Sequence, residues 1–244
     1  KGSRSWLVLG PLRLQPAEFA KFATALAISK FMSSYGFNIH RMKDFFAAAF
    51  IIILPMICIV GQRETGSALV YSAFFLMFYR EGMPGSILFT AVAMVVYFVV
   101  GVKYENVMMW DGQTSVGEFI VLLLVQIFST GMVSTYIHNG RQTVQMLLYT
   151  VGITLGCMLF SVYVIPFDVT YVQLIVSFVL IGFLFYQGLS ARIRNYYFIA
   201  LFALGSLAFF YSADYVLNNV MEPHQRVRIN VLLGLEEDLA GAGY

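Results

Sequence analysis

The stretch Leu14-Gln15-Pro16-Ala17-Glu18-Phe19-Ala20-Lys21 puts two formal charges at the opening of an otherwise apolar run. From Phe19 to Met32 only Lys21 and Lys30 are charged, and Lys30 already marks the far end. Pro16 suits the first turn of a helix, where its missing N–H costs nothing, and an i, i+3 spacing puts Glu18 and Lys21 on one face. An ionisable side chain at membrane depth costs roughly 2.5–3.5 kcal/mol on insertion scales, so it usually faces a polar cavity and has a partner. The alternative is that both side chains sit near a helix end and snorkel to the headgroups. Lys21 lies about one to two turns inside the run, which favours the first reading and asks for a counter-charge.

Working outward, the 244 residues are 59% hydrophobic and 11% charged with a mean hydropathy of +0.77, which excludes an ordinary soluble domain. The expected fold is all-α, a polytopic helical bundle in a membrane. With about 20 apolar residues per crossing, about eight spans are expected, at 17–35, 45–61, 66–80, 84–102, 116–137, 144–165, 170–188 and 196–218. The third is short, and the polar turn Gln62–Gly66 before it is expected to dip into the membrane.

The net charge of +2 is scattered singly through loops and forms no basic stripe, so no nucleic-acid partner is expected. Cys58 and Cys157 lie in apolar runs and read as small buried hydrophobes, and the three histidines are far apart, which argues against a structural metal site. Ser115 followed by Glu118 has the capping-box spacing, so Glu118 reads as helix punctuation. Pro55 reads as a kink, and Gly152 with Gly156 as a close-packing face.

Orientation follows from the short loops. Those after the first, third, fifth and seventh spans hold Arg41, Lys43, Arg80, Arg141, Arg192 and Arg194, against Arg63 and Lys103 on the other side, so the first set is expected in the cytoplasm. The segment from Trp6 to Lys21, the turn carrying Glu64 and the tail carrying Arg226, Arg228 and Asp238 then share the outer side. Arg226 and Arg228 present forked donors suited to a phosphate or pyrophosphate, and they suit a solvated or headgroup-facing loop equally.

Three blocks carry a family resemblance. Gly2-Ser3-Arg4-Ser5-Trp6, Leu9-Gly10 and Gln15–Lys21 resemble the "GARRW…LG…QPSEFAK" signature of the SEDS family of peptidoglycan polymerases (RodA/FtsW), Gln62–Val70 its "QPDLGTALV", and Gln225–Arg228 with Asp238 and Gly241–Tyr244 its "YQRxRI…DPLGAGY". The likeness is closer to RodA than to FtsW. It implies a multi-pass protein of the bacterial cytoplasmic (inner) membrane, an inverting glycosyltransferase that polymerises lipid II into glycan strands at the outer face for cell elongation and shape. It further implies a class B penicillin-binding protein, a transpeptidase, as partner, lipid II and the growing glycan strand as ligands, and a divalent ion, Mg or Mn, as the cofactor to expect.

Residue by residue, the resemblance pairs Lys21 with the position of Glu64, where the family has Asp, and makes Trp6, Glu18, Lys21, Glu64, Arg226 and Arg228 the substrate-binding or cavity set. Arg63 stands where the family has Pro. The family's catalytic Asp belongs to an "HTDF" stretch downstream of "GAGY", so no catalytic residue is assigned, and the chain is expected to be a fragment lacking the first spans and the C-terminal part. Residues 83–195 add four spans between the second and third blocks, an even number that keeps the flanking blocks on one side, and are expected to be an inserted segment of a single membrane domain 1–244. From other classes, a lipid flippase or transporter, or a non-catalytic scaffold for the transpeptidase, would also use a charged pair at membrane depth.

Overall fold

The computed structural model describes residues 7–9, 12–61, 67, 70–220, 226–227, 229–230, 233 and 235. A short antiparallel hairpin, β1 (Leu7–Leu9) with β2 (Leu12–Leu14), precedes the helices, in register Leu7 with Leu14, Val8 with Arg13 and Leu9 with Leu12. The α-helices are α1 (Pro16–Met32), α2 (Met42–Gly61), α3 (Ala73–Arg80), α4 (Gly85–Lys103), α5 (Val116–Ile137), α6 (Gly140–Tyr163), α7 (Val169–Ala191) and α8 (Arg194–Tyr215). A π-helical turn, Val216–Val220, continues α8. Each expected span coincides with a helix. Six of them, α2 and α4 to α8, are long and apolar enough to cross a membrane, whereas α1 has 17 residues and α3 has 8. The protein is a multi-pass helical membrane protein.

The chain divides into two compact units, Lys1–Phe89 and Thr90–Tyr244. In the first, α1 packs on α2, with Ile28, Ala48, Ala49 and Ile52 buried between them and Phe78 joining the same cluster. Pro16 opens α1 at its first turn, and the connection to α2 is turned by Gly36, whose φ of +87° needs glycine, and held where the Asn38 amide donates to Asp44 Oδ2 at 3.1 Å. Cys58 faces outward rather than into the core: a membrane helix can turn an apolar thiol toward lipid as comfortably as toward protein.

The second unit is an up-and-down bundle centred on α5, which packs against α6, α7 and α8. Val121, Leu122, Val125 and Val133 of α5 meet Leu180, Leu184, Ile199 and Ala203 in the core. A polar seam links α5 to α7 inside it: Gln126 Nε2 donates to the Gln173 carbonyl (3.2 Å) and to Ser177 Oγ (3.1 Å), and Gln173 Nε2 donates to the Phe119 carbonyl (3.3 Å). Such bonds glue helices where no hydrophobic drive separates protein from lipid. Gly117 allows the start of α5 to cross the end of α4. A Cβ there would stand 2.7 Å from the Gly101 carbonyl oxygen and 3.0 Å from the Glu105 nitrogen.

The loop from Tyr104 to Ser115 folds back on itself, with Met108 bridged to Ser115 and the amides of Val116 and Gly117 donating to the carbonyls of Val107 and Tyr104. Backbone carbonyls therefore satisfy the first amides of α5, and no capping box forms. Ser115 Oγ instead donates to the Glu105 carbonyl at 3.0 Å. Glu118 is released from the capping role expected of it.

Candidate functional site

In the first unit, α1 presents the charged pair on one face. Lys21 Nζ donates to Glu18 Oε1 at 2.6 Å, with the lysine side chain 22% exposed and the glutamate 50%. The i, i+3 spacing on a helix begun at Pro16 brings them together, and Glu18 also sits in the first turn, where the helix dipole favours an anion. The Lys21–Glu64 pair involves a residue outside the described ones, as do the calls on Trp6 and Arg228. Of the three donors of the Lys21 ammonium, the bond to Glu18 takes one.

In the second unit, a cavity of about 110 Å3 opens at the end where α4, α5 and α8 converge. Glu105, Ser115, Glu118, Asp214 and Leu217 line it, and Phe210 lies across Gly101, whose missing Cβ makes room for the ring. Glu118 lies within charge-interaction range of Asp168, Asp214 and Glu105, and the Thr170 hydroxyl donates to Asp168 Oδ1 at 2.6 Å. Arg226 Nη2 donates at 2.7 Å to the carbonyl of Leu217, one of the residues that line the cavity. That bond ties the arginine of the third sequence block to the end of α8, beside a concentration of carboxylates.

Asp111 in the neighbouring loop is a structural anchor. Its Oδ1 accepts from the amides of Gln113 and Thr114 (both 3.0 Å) and its Oδ2 from Thr114 Oγ1 (2.6 Å) and Ser161 Oγ (3.1 Å). The Val169 amide donates in turn to Thr114 Oγ1 at 3.0 Å, so one carboxylate pins the loop to the end of α6 and the start of α7. Partial burial pushes the carboxyl up, and the Thr114, Gln113 and Ser161 bonds outweigh that and hold it below its ordinary value. Among the described residues no group of three or more His, Cys, Asp or Glu is disposed to hold a metal ion, and no step below is routed through one.

Residues 1–119, which contain the whole of α1 with its Glu18–Lys21 pair, match the family of FtsW, RodA and SpoVE, described as cell cycle protein. Over those residues the chain is similar to this family, the SEDS family. Peptidoglycan glycosyltransferase RodA of Treponema pallidum (strain Nichols) is 26% identical over 244 residues, all of this chain and 46% of the relative. Stage V sporulation protein E of Bacillus subtilis (strain 168) is 25% identical over 158 residues, 62% of this chain and 38% of the relative. Peptidoglycan glycosyltransferase MrdB of Escherichia coli (strain K12) is 29% identical over 101 residues, 41% of this chain and 27% of the relative. The chain thus spans less than half the length of these relatives. No solved structure matches it.

Sequence reasoning passed over the carboxylate cluster in this chain. The signal was present in the alternation of the turns: Glu105, Asp111, Glu118, Asp168 and Asp214 fall after α4, before α5, in the first turn of α5, before α7 and at the end of α8, which an up-and-down bundle must bring to one end. Reading Glu118 only against its neighbour Ser115 hid that convergence.

Proposed function

We propose that the whole protein is a peptidoglycan glycosyltransferase that polymerises lipid II into glycan strands at the outer face of the bacterial inner membrane, for cell elongation and shape, beside a class B penicillin-binding protein. The observation that carries this reading is the family match over residues 1–119, with Lys21 held by Glu18 in the segment that resembles the family's signature. The relatives that are named peptidoglycan glycosyltransferases support it.

In the reaction, a sugar hydroxyl of a lipid-linked acceptor attacks the anomeric carbon of a pyrophosphate-linked donor. The new C–O bond forms as the bond to pyrophosphate breaks, with inversion, and the hydroxyl proton passes to a carboxylate. Negative charge grows on the departing pyrophosphate, so fixed cations aimed at it lower the barrier. Lys21, oriented by Glu18, and Arg226, fixed by the Leu217 carbonyl, are the described cations of the expected set. The family resemblance puts the proton acceptor downstream of Tyr244.

The test is polymerisation of labelled lipid II by the full-length protein in proteoliposomes, with chelation and re-addition of Mg2+ or Mn2+ to read metal dependence. Lys21→Met should lower the rate by about 100-fold or more, the size typical of losing a transition-state charge partner. Movement of lipid II across the bilayer without strand growth would replace polymerase by flippase, and neither activity would leave the scaffold reading.

A further inference from the structure

The second unit segregates its charge along the bundle. Its acidic residues between 90 and 220 are Glu105, Asp111, Glu118, Asp168 and Asp214, all at the cavity end, and no acidic residue occurs in 119–167 or 169–213. Arg141, Arg192 and Arg194 lie at the other end, in the α5–α6 and α7–α8 turns. Those turns touch: Asn195 Nδ2 donates to the Tyr136 carbonyl (2.9 Å), and the Tyr196 hydroxyl donates to Gln142 Oε1 (2.7 Å).

From that basic end a groove of about 400 Å3 runs between α6 and α7. It starts at Gln142, one residue after Arg141, and reaches Ile153. Met146, Thr150 and Leu180 form a buried floor, and the exposed side chains of Tyr149 and Val179 form walls. At 1.5 Å per residue it extends about 16 Å, close to half of the roughly 30 Å hydrocarbon core, which is the depth of one leaflet. Spread over that length, 400 Å3 leaves a cross-section on the order of 25 Å2, the width of one extended hydrocarbon chain and too narrow for a helix about 10 Å across.

We propose that this groove seats one acyl chain of an anionic phospholipid of the leaflet at the basic end, with Arg141 taking the phosphate and Arg192 and Arg194 supplying the surrounding positive field. Lipid tails cover every outer face of a membrane helix, so the apolar walls alone select nothing. Selection comes from the arginines, whose planar donors match phosphate oxygens and whose end of the second unit carries no acidic residue among the described ones. Arg192 sits in the left-handed region at φ 55°, so Arg192→Gly removes its charge in a conformation that glycine prefers. The proposal does not depend on the polymerase reading.

The test uses Tyr149→Trp in the full-length protein, in nanodiscs of phosphatidylcholine doped with either brominated phosphatidylglycerol or brominated phosphatidylcholine, reading the added tryptophan fluorescence against the Tyr149 parent. Brominated phosphatidylglycerol should quench it at about tenfold lower mole fraction or less. Leu201→Trp, on an exposed face of α8, should show no headgroup preference. Adding Arg141→Gln, Arg192→Gly and Arg194→Gln to the Tyr149→Trp protein should abolish the preference while leaving its melting temperature and strand synthesis as they were. Equal quenching by the two lipids, or a preference that survives the triple variant, overturns the proposal. Quenching by neither lipid also overturns it, because a partner helix or a second copy would then fill the groove.

Discussion

The two units divide the work of recognition and of packing. Lys1–Phe89 carries the charged stretch that resembles the SEDS signature, yet the apolar span of α2 is only 22% buried within the described chain. Thr90–Tyr244 holds the third block in its tail, and its central helix α5 is 56% buried among its neighbours. A signature of charge in an apolar run survives without a dense core around it, because its cost in lipid is what singles it out. A core assembled from Val, Leu and Ala looks the same in sequence whether it faces protein or lipid. The units should therefore answer differently to substitution: the second through packing, the first through charge.

The largest effect is expected where helices cross. Gly117→Ala sets a methyl 2.7–3.0 Å from backbone atoms of Gly101, Tyr104 and Glu105, none of which can rotate away, so α4 and α5 must part. Overpacking of this kind costs about 1–3 kcal/mol. Gly152→Ala meets nothing within 4 Å, and the better helix propensity of alanine should make it neutral or stabilising by up to ~1 kcal/mol. Thermal unfolding in detergent measures both. Equal effects at the two glycines would mean that the α4–α5 crossing is not a tight one.

Next in size is the loop anchor. Asp111→Asn loses the charge that four donors share and should cost about 1–2 kcal/mol. The pH dependence has a definite sign. A carboxyl held below its unfolded value contributes stability that is fully present above that value and is lost as pH falls through the lowered one. The parent should lose this increment on acidification and Asp111→Asn should not, so their melting temperatures converge at low pH. Parallel curves would show that the carboxylate charge is not what holds the loop.

How much of this was legible beforehand follows the same division. Every helix could be read, because an apolar run of about 20 residues has few other uses. The hairpin Leu7–Leu14 could not, since three-residue strands leave almost no periodic trace. Glu118 was misread because Ser115 and Glu118 have the spacing of a capping box, and only the fold shows that the carbonyls of Val107 and Tyr104 already serve the helix start. Cys58 was misjudged for a reason proper to membranes: an apolar run identifies a lipid-tolerant residue without saying which side of the helix it occupies. In α1 the i, i+3 spacing put Glu18 and Lys21 on one face, whereas the counter-charge expected for Lys21 was Glu64, so the bond to Glu18 itself was not foreseen.

That pair supplies the smallest expected effect on stability and the sharpest test of the first unit. With Glu18 half exposed, its bond to Lys21 should contribute no more than a surface ion pair, about 0–1 kcal/mol, so Glu18→Gln should barely move the melting temperature. Lys21 is the more enclosed member, and its ammonium has donors beyond the one given to Glu18. If Glu18 is its whole electrostatic environment, Lys21→Met costs no more than Glu18→Gln, and the double variant costs about the same as either single. A buried carboxylate such as Glu64 on the remaining donors would be stranded by Lys21→Met at about 3–5 kcal/mol, and Glu64→Gln would relieve that cost in the double variant. The two cycles, Lys21 with Glu18 and Lys21 with Glu64, therefore separate a charge that only decorates α1 from one that joins two signature blocks. A coupling below about 0.5 kcal/mol in the Glu64 cycle would sever Glu64 from the site and leave Lys21 with Glu18 alone.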